Sequence, residues 1–169
     1  MKLTHGVKRL ALMALLAAAS LILFVVEAQI PPLIPVPGVK LGLANIITLV
    51  AMVLLSRREA GLVLLVRILL GAVFAGSPST LLYSAAGGIL AYGVMCLMVG
   101  RIPESRLWIT SVVAALAHNA GQLIVCILVA RTSQLIVYAP VLAASGILTG
   151  AFTGVAAAVL VKALRKINL

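Results

Sequence analysis

The feature that most limits the fold of this chain is its division into six apolar runs by short polar segments. A helix needs roughly 20 apolar residues to cross the hydrocarbon core of a bilayer. Since 64% of the 169 residues are hydrophobic and only 9% are charged, a soluble domain of this length would lack polar groups to cover its surface. We therefore predict an all-α, polytopic membrane protein, with about six transmembrane helices in one compact bundle and a single transmembrane domain over residues 1–169. The six runs are residues 10–30, 41–55, 60–74, 81–99, 107–130 and 135–161.

The second and third runs are the least regular of the six. The second is short for a membrane span, and Ser56-Arg57-Arg58-Glu59 connects it directly to the third. The two runs therefore form a hairpin, which either crosses the bilayer fully or enters it only in part.

The distribution of Lys and Arg predicts the orientation in the membrane. Of the 13 such residues, ten lie on one side of a six-span topology, Lys40 and Arg131 lie on the other, and Arg67 lies within the third run. Because cytoplasmic loops are enriched in Lys and Arg, both termini are predicted to be cytoplasmic in a multi-pass protein of the cell membrane. The loops that then face outward are residues 31–40, 75–80 and 131–134.

The net charge of +10 does not indicate a nucleic-acid partner. The basic residues lie at the ends of apolar runs and form no basic patch interleaved with aromatic residues. The basic tail, residues 162–169, is instead expected to contact anionic membrane lipid.

The scarcity of acidic residues argues against several kinds of catalysis. The chain has no aspartate, and its glutamates are Glu27, Glu59 and Glu104, so it lacks the clustered carboxylates that hold Mg²⁺ in phosphoryl- or prenyl-transfer enzymes. Cys96 and Cys126 lie within apolar runs without the spacing of metal ligands, and no Walker A motif is present. We expect no enzyme activity, no metal site and no cofactor.

Polar residues inside or at the ends of the apolar runs predict a site for a small-molecule ligand. Ionisable groups are costly in a membrane span and usually face a cavity or a partner. His118 and Gln122 are four residues apart and share a helix face, and Asn119 lies nearly on that face. This stripe forms either the polar wall of a pocket or a hydrogen-bond clamp between helices. The predicted ligand-binding residues are Glu27, Lys40, Asn45, Arg67, His118, Asn119 and Gln122.

The basic residues of the outer half favour a ligand with an anionic group. Lys40 and Arg131 either contribute to this site or extend to the outer interface. Arg67 lies deeper, and it either pairs with Glu27 or binds an anion. The four prolines of residues 31–37 either form a stiff rim to the site or simply reconnect two helices tightly.

Small residues recur on two of the runs at spacings that place them on one helix face. Ala11, Ala14 and Ala18 form a stripe in the first run, where a partner protein could approach closely. The last run carries a doubled GxxxG pattern, which we expect to pack against other helices of the same chain. Its glycines are Gly146, Gly150 and Gly154.

This arrangement resembles the substrate-binding S component of energy-coupling factor transporters. Those proteins have six helices, an outward ligand pocket and an Ala-xxx-Ala pattern on the first helix, which Ala14 and Ala18 match, with Ala11 adjoining. The resemblance implies docking of this face to a transmembrane coupling subunit, which works with two ATPases. It also implies that the S component topples in the membrane to deliver its ligand.

A more specific resemblance is carried by PGVKLGLANIITL, residues 37–49, and RILLGAVFAG, residues 67–76. Both look like the Gx transporter family, which is also labelled heptaprenyl diphosphate synthase component I. The leading hypothesis is therefore a substrate-binding transport subunit for an isoprenoid diphosphate, a quinone precursor or a flavin. A second is a non-catalytic membrane partner of a prenyl-chain synthase, and a third is a stand-alone carrier or channel.

Overall fold

The chain folds into six α-helices in the computed structural model, which describes residues 5–30 and 42–166. No β-strand forms within those ranges, so the prediction of an all-α protein is confirmed there. Two short 3-10 helices, Glu104–Arg106 and Ser133–Tyr138, precede the last two α-helices. The α-helices are α1 (His5–Gln29), α2 (Asn45–Leu54), α3 (Arg57–Ala75), α4 (Pro78–Met98), α5 (Leu107–Ala130) and α6 (Ala139–Lys166).

Four helical segments of the described chain are long and apolar enough to cross a membrane: residues 6–29, 78–98, 104–130 and 133–166. Helix α3 has 19 residues but begins with three charged residues and carries Arg67 inside. Helix α2 has ten residues, so it is about 15 Å long, half the thickness of a bilayer core. The structure thus describes a membrane protein, and α2 is too short to cross on its own.

Tight reversals at both ends of α3 follow from the local sequence. At its start, Ser56 and Glu59 form a capping box, in which the Glu59 backbone N–H donates to Ser56 Oγ (3.3 Å) and the Ser56 N–H donates to Glu59 Oε2 (2.8 Å). At its end, Gly76 adopts a left-handed conformation with φ of 61°, and Pro78 opens α4 where its missing N–H costs nothing. Helices α2, α3 and α4 therefore run antiparallel in succession.

Two exposed ion pairs connect segments at the end of the molecule where α3 begins. Arg9 of α1 donates to Glu59 of α3 (3.0 Å). Arg165 of α6 donates through two nitrogens to Glu104, in the connection before α5 (both 2.7 Å). Exposed pairs of this kind contribute little stability, but they place the start of α1, α3 and α5 and the end of α6 on one side.

Helix α2 lies at the centre of the structure and contacts each of the other five α-helices. Seven of its ten residues are buried, and Leu49, Val50 and Ala51 are at most 1% exposed. A helix that is apolar on all sides is expected only where other helices surround it.

Glycines allow α5 to pack closely against both α4 and α6. A Cβ atom on Gly121 of α5 would lie 2.7 Å from the carbonyl oxygen of Ala86 in α4. A Cβ on Gly150 of α6 would lie 2.6 Å from Val112 Cα in α5, and a Cβ on Gly154 would collide with the backbone of Trp108. The prediction that the glycine stripe of the last helix packs within the chain is therefore confirmed.

We expect Gly154→Ala to lower the free energy of unfolding by about 1–3 kcal/mol, because the added methyl meets backbone that cannot move without separating α5 from α6. Gly93→Ala is the matched control, since nothing lies within 4 Å of a Cβ at that position of α4. Thermal unfolding in detergent, followed by circular dichroism, compares the two variants. Equal midpoints would contradict the close α5–α6 contact.

Candidate functional site

Three helices place polar or small residues at a similar depth in the membrane. Arg67 lies ten residues after the start of α3, His118 lies eleven after the start of α5, and Gly87 lies eleven before the end of α4. These three helix ends share one side of the molecule, so at 1.5 Å per residue all three positions lie roughly 15–17 Å from it. Asn45, at the start of the half-length α2, lies at a comparable depth.

Glu27, near the end of α1, binds the backbone that leads into α2. Its Oε1 accepts from the N–H of Gly42 (2.6 Å), and its Oε2 accepts from the N–H of Leu43 (2.9 Å). The side chain is 5% exposed. A carboxylate beside the first residues of a helix is also stabilised by the helix dipole, so Glu27 fixes where α2 begins.

Gly42 brings the start of α2 against α5. Its φ of +78° is a left-handed conformation, which glycine adopts at little cost. A Cβ at this position would lie 3.1 Å from Asn45 Nδ2 and 3.4 Å from His118 Cδ2. The bare backbone of Gly42 therefore lets the amide of Asn45 and the imidazole of His118 both lie close to the chain just before α2.

Arg67 is the most unusual residue of this region, because a guanidinium that is 2% exposed has unsatisfied donors. Its Nε and Nη2 have no hydrogen-bond partner in the part of the chain that the structure describes. The Phe24 ring of α1 lies 5.8 Å from its Cζ, within the range of a cation–π contact. It also interacts electrostatically with Glu27 and His118.

His118 occupies space that a glycine of α4 provides. A Cβ on Gly87 would lie 2.8 Å from both Cε1 and Nδ1 of the imidazole. The ring is 4% exposed. Glu27, Asn45, Arg67 and His118 are thus brought together from four helices, and we refer to these four residues as the Arg67 cluster.

The other predicted site residues have different positions. Asn119 Nδ2 donates to the backbone oxygen of Leu142 in α6 (2.8 Å), so this side chain forms a hydrogen bond between helices. Gln122 is buried on α5, one turn after His118. Lys40 lies outside the described residues. Asn119 also borders a small apolar cleft of about 140 Å³ between α5 and α6, lined by Leu116, Asn119, Ala120, Leu123, Ala139, Leu142 and Ala143.

Several contributors to the cluster were not singled out as site residues in the sequence. The backbone donors of Gly42 and Leu43 carry no side-chain signal, although Gly42 stands in the middle of the KLGLAN segment. Phe24 and Gly87 look like ordinary residues of apolar helices. Within the described ranges no three His, Cys, Asp or Glu residues lie close enough together to hold a metal ion.

The alanine stripe of α1 lies on the surface. Ala11, Ala14 and Ala18 are all exposed, whereas Leu12 and Leu16 on the opposite face are buried in the core. The stripe therefore presents a smooth surface of small side chains, to which another helix could pack closely.

We expect Glu27→Gln to destabilise the protein by about 1–3 kcal/mol, because an amide has one acceptor oxygen for two buried backbone donors. Hydrogen–deuterium exchange at Gly42 and Leu43 should become faster. Glu104→Gln, which alters an exposed ion pair, serves as the control and should leave exchange at these two amides unchanged. Unaltered exchange in Glu27→Gln would show that Glu27 does not hold this backbone.

Comparison with protein families gives a match over most of the chain. Residues 16–160 match the family model described as heptaprenyl diphosphate synthase component I, which confirms the resemblance carried by residues 37–49 and 67–76. No curated protein matches the chain, and no solved structure does so.

Proposed function

This chain belongs to the heptaprenyl diphosphate synthase component I family, and we propose that it is the substrate-binding membrane subunit of an energy-coupling factor type uptake transporter. The observation that carries the proposal is the Arg67 cluster, in which charged and polar side chains from four helices meet in the interior of a membrane protein. Such residues are costly in a bilayer and commonly mark a path or site for a substrate.

The ligand of this proposal is a small amphipathic molecule with an anionic group, of the vitamin, isoprenoid or quinone-precursor kind. Arg67, together with Lys40, holds the anionic group. Asn45, Asn119 and Gln122 hydrogen-bond to its polar edges, and aliphatic side chains of the surrounding helices hold its apolar part. Glu27 and His118 complete the site.

In the proposed topology the chain crosses the membrane six times, with the short α2 as the cytoplasmic half of the second crossing. Both termini lie in the cytoplasm, and the ligand enters from the outer side. Most of the Lys and Arg residues then lie on the cytoplasmic side, as the positive-inside rule requires. The ion pairs Arg9–Glu59 and Arg165–Glu104 support this arrangement, because they gather four charged residues at one end of the helices.

The partners of this subunit are a transmembrane coupling protein and the ATPases that drive it. The exposed stripe of Ala11, Ala14 and Ala18 is the proposed docking surface, because small side chains let the partner helix approach closely. The subunit itself is not an enzyme in this proposal.

The family description favours a second candidate function. Under it, the chain is a non-catalytic membrane component that associates with a polyprenyl diphosphate synthase. The absence of aspartate from the chain argues that any prenyl transfer is performed by a different protein.

The first test is to purify the protein gently and identify co-purifying small molecules by mass spectrometry. We expect a stoichiometric amphipathic ligand in the wild type and at least about a tenfold loss in Arg67→Ala, because a bidentate charge contact is removed. Arg58→Ala is the control, since Arg58 is exposed on the same helix. A wild-type protein without ligand would contradict the proposed function.

The docking surface is tested separately by Ala14→Trp. We expect uptake into cells to be lost while the ligand content of the purified protein stays unchanged, because the bulky ring blocks the partner helix but lies away from the Arg67 cluster. Val155→Trp is the control, because Val155 is also exposed, at 58%, but lies on α6, away from the stripe of α1. Equal uptake by the two variants would exclude docking through the stripe.

The second candidate function predicts a different result. Reconstitution of the purified chain with a catalytic polyprenyl diphosphate synthase subunit would raise prenyl transfer above the rate of that subunit alone. If the rate is unchanged while ligand uptake depends on the chain, the transport function is supported over the synthase function.

A further inference from the structure

We propose that the Nε–Nη2 edge of Arg67 binds one oxyanion of the ligand side-on. On this edge of a guanidinium the two N–H bonds are parallel and match two oxygens of a carboxylate or a phosphate. Both nitrogens are buried and have no hydrogen-bond partner in the described part of the chain. The inference rests on the proposed function and specifies the chemical group that the site recognises.

The unsatisfied edge points to an acceptor that comes from outside the described chain. Most buried polar side-chain atoms in folded proteins have a hydrogen-bond partner, and a buried charged donor without one is especially costly. The two donors belong to one edge of one side chain rather than to separate groups. One acceptor group with two oxygens therefore satisfies both at once.

Glu27 is not the acceptor for the Nε–Nη2 edge and has a structural role at this site. Its two carboxylate oxygens accept from the N–H groups of Gly42 and Leu43, so it holds the start of α2. It also interacts electrostatically with Arg67 and so offsets the positive charge of the guanidinium. The described part of the chain thus balances the charge of Arg67 without filling its Nε–Nη2 edge.

This charge balance limits the ligand class. Because Glu27 already offsets Arg67, the described part of the cluster suits a carboxylate, with one negative charge, better than a phosphate monoester, with about 1.5–2 at neutral pH. A diphosphate carries still more negative charge than the single cation Arg67 balances. The inference therefore favours a ligand with a single acidic group.

Two neighbours pack against the guanidinium and hold it in position. The Phe24 ring contacts it from α1, at 5.8 Å from Cζ to the ring centroid, and Phe24 itself packs on Gly71 of α3. On α4, a Cβ at Gly88 would lie 3.6 Å from Arg67 Nη2. The Cδ1 atoms of Leu64 and Ile68 would lie even nearer, at 3.2 and 3.3 Å, so glycine at position 88 lets α3 approach α4 closely beside Arg67.

The test is nuclear magnetic resonance of protein with ¹⁵N-labelled arginine in lipid nanodiscs. The Arg67 Nε signal is identified as the one lost in Arg67→Lys. The probes are acetate, methyl phosphate and the neutral acetamide, added at matched ionic strength. Because these probes are small, their binding does not depend on the shape of the apolar part of the ligand. We expect a saturable shift of the Arg67 signal with an oxyanion and none with acetamide, while the signal of the exposed Arg58 shows no saturable change.

The outcomes separate the possible anions. A stronger response to acetate identifies a carboxylate ligand, and a stronger response to methyl phosphate identifies a phosphate monoester. An Arg67 signal that ignores both oxyanions, or that responds equally to acetamide, overturns the inference. If the inference fails but a stoichiometric ligand co-purifies with the protein, the proposed function is still supported. If the Arg67 signal responds to an oxyanion but the protein carries and transports no ligand, the result contradicts the proposed function and not the side-on contact.

Arg67→Lys gives a second measurement, because lysine keeps the positive charge and removes the parallel pair of donors. We expect its ligand content to fall at least about tenfold below that of the wild type, close to that of Arg67→Ala. Full ligand content in Arg67→Lys would show that a point charge is sufficient, and the side-on contact would be excluded.

Discussion

The bond between the carboxylate of Glu27 and the backbone N–H groups of Gly42 and Leu43 is the contact on which the interior of this protein depends. Backbone donors inside a bilayer need a partner within the protein, because neither lipid nor bulk water provides one there. With Glu27 as that partner, the chain can begin a helix inside the structure. This explains how a ten-residue helix, α2, comes to be surrounded by five others.

The helices around the short central helix α2 pack in two groups. Glycines on α4, α5 and α6 bring those backbones together, which creates a wall of three closely packed helices on one side of α2. On the other side α1 and α3 meet through the contact of Phe24 with Gly71. Arg67 lies between these two groups of helices, so its environment is set by the packing of the whole molecule rather than by one loop.

The sequence predicted an all-helical membrane protein well, because long apolar runs have few alternatives, whereas only four segments of the described chain are long and apolar enough to cross a membrane. The sequence showed that the second run is short, but it did not predict that α2 begins inside the structure. The membership of Glu27, Asn45, Arg67 and His118 in one cluster agrees with the residues singled out from the sequence. Helical spacing could not show that Asn119 donates to α6, because it fixes relative faces but not which neighbour each face meets. Side-chain patterns do not predict which backbone N–H groups, such as those of Gly42 and Leu43, bind a side chain.

The position of Glu27 also has a consequence for how the chain enters the membrane during synthesis. Its bonding partner on Gly42 lies fifteen residues further along, so α1 is made before the groups that satisfy its carboxylate exist. A lone glutamate is costly in hydrocarbon, and near the end of α1 it can stay in the watery headgroup region until those groups arrive. Since the carboxylate binds the N–H groups of Gly42 and Leu43 in the folded protein, we expect the first two helices to reach their final depth together.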